Sequence, residues 1–106
     1  NPDLDTSQTW VDAIRGHGIH NNFYVCACNR VGREDADDGS GFMEFYGRSF
    51  VSDPWGHMVT ECKRNEEDLL IAELDLDEIK RARDILQFHR DRRVDSYGEL
   101  MYLSIK

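Results

Sequence analysis

The chain has no surplus of positive charge. Its 13 Lys and Arg stand against 21 Asp and Glu, a formal net charge of −8. Non-specific nucleic-acid binding needs a basic face that tracks phosphates, so that class is set aside. An acidic balance keeps a chain soluble and permits cationic ligands. A long apolar run is also missing. No stretch approaches the ~20 residues that span a bilayer, so no membrane partner is expected. No leader-like segment opens the chain. Cysteine is scarce and odd in number, three in all, at spacings that make no disulfide framework. A reduced, cytoplasmic setting is therefore expected. Internal repeats and low-complexity segments are absent. What is present, 40% apolar and 32% charged residues over 106 positions, suits one small domain or a piece of a larger one. The opening Asn1-Pro2, without Met, leads to the expectation of a piece.

The pattern predicts a helix over residues 5–21, with Asp5 and Gln8 at capping-box spacing and Trp10, Ile14 and His17 as its apolar stripe, Ala13 and Val11 lying at the edges. Gly16 and Gly18 weaken a free helix by ~1 kcal/mol each, so their expected use is close backbone approach to another element. Asn21-Asn22 is a plausible stop. A strand apolar on both faces is predicted over 23–29, then a polar loop over 33–41. Residues 42–52 read as one or two strands broken at Gly47. "DPWG" (53–56) reads as a turn leading into a strand over 57–62. An exposed connector follows, then a strand over 68–74 and a helix over 76–89. Asp75 and Glu78 have capping-box spacing there. Ile79, Ala82, Leu86 and Ile85 form the buried stripe, and Asp77–Arg81 and Lys80–Asp84 are expected ion pairs. The tail over 90–106 mixes charge with apolar residues, and such tails dock on something.

"VCAC" (25–28) is the most chemical-looking stretch. Zinc sites favour C-x2–4-C with a second ligand pair, which is absent, and His17, His20, His57 and His89 are scattered. A redox pair takes the C-x-x-C form at a helix start, and an i,i+2 disulfide in a strand is strained. A nucleophile needs a base and an anion site, and neither adjoins Cys26 or Cys28. Buried packing is the default for both. "RDRR" (90–93) reads first as arginines that neutralise a helix C-terminus or make ion pairs, and second as an anion site. In "EFYGRSFVSDPWG" the plain reading is strand, glycine break and hairpin. The functional reading is that Gly47 bends the backbone near a ligand, with Tyr46 and Ser49 facing a pocket.

Four segments then fit one family in order: "TWVDAIRGHGIHNNFYVCACNRVGRE", "FYGRSFVSDPWG", "LLIAELDLDEIKRARD" and "FHRDRRVDSYG". Together they resemble the C-terminal part of the nitrilase (carbon–nitrogen hydrolase) superfamily, most of all its N-carbamoylputrescine amidase branch. The resemblance covers nearly the whole chain. It implies an α/β fold, the C-terminal half of an α-β-β-α sandwich. It also implies hydrolysis of a non-peptide C–N bond, such as the carbamoyl amide of a polyamine precursor, with no cofactor. The family works with a Glu base, a Lys that stabilises the oxyanion and a Cys nucleophile. None of these can be carried over, because no Cys-Trp-Asp segment occurs here; no catalytic and no metal-ligating residue is expected in the chain. By resemblance, Phe45, Tyr46, Gly47 and Ser49 belong to a stretch near the substrate pocket. Helix 5–21 and the tail resemble subunit-packing elements, so a homo-oligomer is expected. Leu86-Gln87-Phe88-His89, Val94 and Asn22 depart from the common family residues, which leaves the exact substrate open.

Three functions compete at this point. One is a fragment of a carbon–nitrogen hydrolase that is inactive without the N-terminal half of its domain. The second is a non-catalytic binding or assembly module built from this half-fold. The third is a metal or redox protein using Cys26 and Cys28.

Overall fold

The computed structural model describes residues 4–103, and its first helix, α1, runs from Ser7 to Asn21. Asp5 prepares its start by accepting the Ser7 amide on Oδ1 at 3.0 Å. The expected capping box does not form, because the Gln8 amide instead bonds Asp12 at 2.9 Å. The helix stops at Asn22, which takes the left-handed conformation (φ 53°) and donates its backbone N–H to Gly18 and Ile19. The buried line is Ser7, Val11 and Gly18, not Trp10, Ile14 and His17; His17 is exposed. The reason is Gly18. A Cβ there would lie 2.7 Å from Val25 Cγ2, so that line must face the sheet. Gly16, by contrast, has nothing within 4 Å, and the close approach expected of it does not exist.

Strand β1 is short, Val25–Ala27, and pairs antiparallel with β4 (Phe50–Ser52), which pairs with β5 (Met58–Glu61). β4 is therefore central, and Phe50 is almost fully buried against the edge of the Trp10 ring at 5.8 Å. The Asp53–Gly56 turn forms as predicted. Asp53 Oδ1 accepts the amides of Trp55 and His57, each at 2.9 Å, and Gly56 takes φ 86°. Cys26 and Cys28 are exposed rather than buried. Val25 meets α1, so the alternate positions on this edge strand point away from the helix.

The predicted polar loop over 33–41 begins as strand, over its first three residues. β2 (Val31–Asp35) and β3 (Phe42–Tyr46) make a hairpin turning at 36–41. Its polar composition is compatible with pairing because the stabilising contacts lie along its surface. The Arg33 guanidinium sits 3.9 Å over Phe42 and Arg30 sits 4.4 Å over Phe45.

The segment over 68–74 is not a strand here. It lies outside both sheets. Helix α2 spans Asp77–Ile85, ending four residues before the predicted limit where Leu86 turns extended. Asp75 Oδ1 accepts the Asp77 amide at 3.1 Å, while Glu78 turns to the Trp55 indole N–H at 3.2 Å, so no reciprocal box closes. Arg81 pairs with Asp75 and Glu78 rather than Asp77, and Lys80–Asp84 forms at 2.8 Å. Ala82 is buried, Ile79 and Leu86 half-buried, and Ile85 exposed. The tail carries two short 3-10 turns, Val94–Ser96 and Gly98–Met101, and its apolar residues dock on nothing within the described chain. Arg93 pairs with Asp95 at 2.9 Å, the ion-pair role, and Arg92 donates to the His89 carbonyl in the turn beyond α2, not to a carbonyl of the helix end.

The radius of gyration is 18.5 Å, against about 13 Å for a compact domain of this length. The accessible surface is 8568 Å², against about 6,100 Å² for a compact monomer of this mass. The elements form a plate 21 Å thick. One helix covers one face of a small sheet, and the apolar surface beyond it is open.

Candidate functional site

Between β3 and β4 the backbone passes through two consecutive left-handed residues, Gly47 (φ 72°) and Arg48 (φ 58°). Only glycine adopts this without cost, and Arg48 is held there by its side chain. Its guanidinium donates to Ser7 Oγ at 3.2 Å and to Gln8 Oε1 at 3.1 Å, and lies 3.9 Å from Glu61. The reversal is locked from the other side by Asn29. Its side-chain amide donates to the Gly47 carbonyl at 2.9 Å, and its backbone N–H donates to Ser49 Oγ at 2.8 Å. The Gly47 N–H in turn donates to the Arg30 carbonyl at 2.9 Å.

These bonds hold open a cleft of about 340 Å³. Asn29, Gly47, Arg48 and Ser49 line one side, and Cys62 with Glu66, Glu67 and Asp68 line the other. Of the four residues expected at a pocket, Gly47 and Ser49 reach this cleft and Phe45 and Tyr46 do not. The Phe45 ring lies under Arg30, and the Tyr46 ring packs edge-on against Trp10 at 6.1 Å with Arg64 5.8 Å above it. Sequence reading missed Asn29 and Cys62. Asn29 stands in "NRVG", but nothing local marks its two bonds across 18 and 20 positions. Arg64 also bonds Asp5 and Ser7, and the Ser7 amide together with this guanidinium lowers the Asp5 carboxyl to about 2.

The cleft offers amide and hydroxyl groups beside carboxylates. It does not offer an activated nucleophile. Burial raises the Cys62 thiol above its usual range, helped by the negative charge of Asp68 and by Cys28, so it stays protonated near neutral pH. No group of three or more His, Cys, Asp or Glu placed to hold a metal occurs among the described residues. Among those residues no helix is long and apolar enough to cross a membrane. A second, more open cavity of about 530 Å³ lies where the ends of α1 and α2 meet, between Asn21, Asn22, Phe88 and His89.

Residues 4–84 match the family model of the carbon–nitrogen hydrolases. Over 102 residues the chain is 39% identical to an N-carbamoylputrescine amidase of Oryza sativa, covering 94% of this chain and 34% of the rice protein. It is 34% identical to a citrullinase of Francisella tularensis over 100 residues, again 94% of this chain and 34% of that protein. The crystal structure of a carbon–nitrogen hydrolase from Helicobacter pylori superposes with a TM-score of 0.87 at 35% identity, over 94% of this chain and 34% of that one. The chain thus spans about a third of the length of the relatives it matches.

Proposed function

The chain belongs to the carbon–nitrogen hydrolase family, and from that premise we propose that it is the C-terminal portion of an amidase of the N-carbamoylputrescine type, acting in polyamine formation in the cytoplasm, and without activity by itself. The observation that carries this reading is the cleft. It has a wall built from Asn29, Gly47 and Ser49, and its single cysteine, Cys62, is protonated rather than activated by the carboxylates beside it. Such a wall can receive a polar amide or carbamoyl group by hydrogen bonding. It cannot attack one, because attack requires a thiolate, a base to make it and a cation or donor pair for the oxyanion. Those groups come from the remainder of the domain. Gly47 and Ser49 face substrate in the complete enzyme, and Phe45 and Tyr46 stand behind them as support. The exposed Leu100 and Met101 favour docking of the tail on a second subunit.

A stand-alone binding module finds no comparable support. A plate with about 2,500 Å² more surface than a compact monomer is not a closed fold. The test has two arms. The purified chain, given N-carbamoylputrescine, releases no ammonia above background; measurable turnover overturns the claim of inactivity. The chain is then grafted in place of the matching third of the rice amidase. The graft hydrolyses N-carbamoylputrescine in preference to citrulline, and the opposite preference overturns the substrate assignment.

A further inference from the structure

We infer that the cavity where the ends of α1 and α2 meet binds a small organic acid. Arg83 and Arg90 take its carboxylate, and Leu86 and Phe88 take its apolar body. This binding is independent of the substrate proposed above.

The cavity is made by two chain segments far apart in sequence. Asn21 ends α1 and His89 follows α2, 68 positions later, and His89 Nε2 lies 2.8 Å from Asn21 Oδ1. The volume of about 530 Å³ suits a small molecule. A bare inorganic anion is far smaller. The half-buried Leu86 and the Phe88 ring give the cavity an apolar stretch of wall. A hydrocarbon or aromatic body covers such a wall better than water does.

The charge in the lining is of one sign. Arg83 and Arg90 line the cavity and no Asp or Glu does, in a chain whose formal net charge is −8. Asp84, next to Arg83, is taken by Lys80 at 2.8 Å. Among the described residues no carboxylate pairs with Arg83 or Arg90. Arg90 donates to Gln87 Oε1 at 2.7 Å, and Gln87 Nε2 donates to the Asp84 carbonyl at 3.3 Å. Arg90 is thus held in place by a neutral group, with its charge left uncompensated. A guanidinium fork fits a carboxylate with two parallel N–H···O bonds.

The plainer role for these arginines is to neutralise the two helix ends. Neither donates to a helix-end carbonyl. The His17 and Ile19 carbonyls accept the side-chain amides of Asn21 and Asn22, and the Gly18 carbonyl accepts the Asn22 backbone N–H. The Ala82 carbonyl accepts the Leu86 amide. A helix C-terminus carries about half a negative charge, so two ends offset about one of the two guanidinium charges. The remainder matches a monocarboxylate rather than a dianion such as phosphate. Of the "RDRR" run only Arg90 belongs to the lining; Arg92 donates to the His89 carbonyl and Arg93 pairs with Asp95.

An NMR titration of the chain, resolved by amide, tests the assignment with phenylacetate as the probe. Acetate and 2-phenylethanol represent the two halves of that ligand. Phenylacetate moves the amide signals of Asn22, Phe88 and His89 and saturates within about 10 mM. Acetate and 2-phenylethanol each bind at least about tenfold more weakly, since each gives up one kind of contact. Arg83→Gln and Arg90→Gln each weaken phenylacetate at least about tenfold. Both side chains are exposed, so neither substitution moves the melting midpoint. Absence of saturable shifts at the three amides by about 10 mM overturns the inference. Equal binding of acetate or of 2-phenylethanol does so too, as does phenylacetate binding that neither substitution weakens. Shifts at the same amides that grow with chain concentration, without ligand, assign the cavity to a second copy and also overturn it. If a glutamine variant loses its fold, the comparison of the three ligands on the parent chain decides. Hydrolysis plays no part in these readouts, so they leave the proposed substrate untouched.

Discussion

Gly18 of α1 and Val25 of β1 approach so closely that a methyl group on the glycine would stand 2.7 Å from Val25 Cγ2 and 3.2 Å from the Phe23 carbonyl oxygen. Two opposing effects follow from replacing this glycine. Ala gains about 1 kcal/mol in helix propensity, and overpacking against a β-branched side chain and a backbone carbonyl costs about 1–3 kcal/mol. The second effect wins, because the carbonyl cannot move aside. Gly18→Ala lowers stability by about 1 kcal/mol in urea unfolding, and adding Val25→Ala restores part of it. Gly16→Ala, where the same methyl meets nothing, stabilises by up to about 1 kcal/mol. Equal effects at the two glycines would show that the helix does not sit on the sheet as described.

Asn22 ends α1 in a left-handed conformation, 2% exposed, with its side-chain amide on the Ile19 carbonyl at 3.2 Å. Asn22→Ala loses that bond and meets the left-handed penalty of about 1–2 kcal/mol. Asn22→Gly loses only the bond and stays within about 1 kcal/mol of the parent. Thermal melts of the two variants, with Ala clearly below Gly, check the assignment; the reverse order contradicts it.

Acid titration of the α1 entry has a defined sign. The folded Asp5 carboxyl lies near 2, first because of the Ser7 amide and then because of Arg64. The ordinary carboxylate value is ~3.9. A lowered folded value contributes stability above the ordinary range and loses it as pH falls through the folded value. The link from Asp5 to Ser7 and Arg64 therefore holds down to about pH 4 and is lost between about pH 4 and pH 2. The Ser7 amide proton shift, followed by NMR, titrates with a midpoint near 2. Arg64→Ala raises that midpoint only in part, because the larger cause is left in place. A midpoint at the ordinary value in the parent chain would remove the link.

Thiol titration separates the three cysteines. Cys26 and Cys28 are exposed and Cys62 is buried. Ellman's reagent modifies two thiols quickly in the native chain and the third only on unfolding. Cys62→Ala slows nothing in the fast phase, whereas Cys26→Ser removes half of it. Three slow thiols would mean that the edge of the sheet is covered.

Much of this was legible in the residues. The Asp53-Pro54-Trp55-Gly56 turn was, because Pro and Gly fix φ locally and Asp53 supplies the acceptor. The stop at Asn22 and the break at Gly47 were legible because these residue types accept positive φ, and the use of Gly18 because it has no side chain to keep a neighbour away. The hairpin over 31–46 was not, since its stability lies in cross-strand stacking of Arg30 and Arg33 on Phe45 and Phe42, a pairing invisible until the register is known. At the candidate site, Gly47 and Ser49 could be pointed to from their stretch. Asn29 could not, because its role is defined by bonds across the sheet.

The sequence by itself determined the family, the Asp53–Gly56 turn and the stop of the first helix at Asn22. These depend on backbone preferences and short-range periodicity, which residue types encode directly. Only the tertiary structure decided that Val11 rather than Trp10 centres the buried face of α1, that Cys26 and Cys28 lie open while Cys62 is enclosed, and that residues 68–74 join neither sheet. Burial and pairing depend on what stands opposite a residue. In this plate 21 Å thick, much of what the apolar pattern anticipates has nothing standing opposite it.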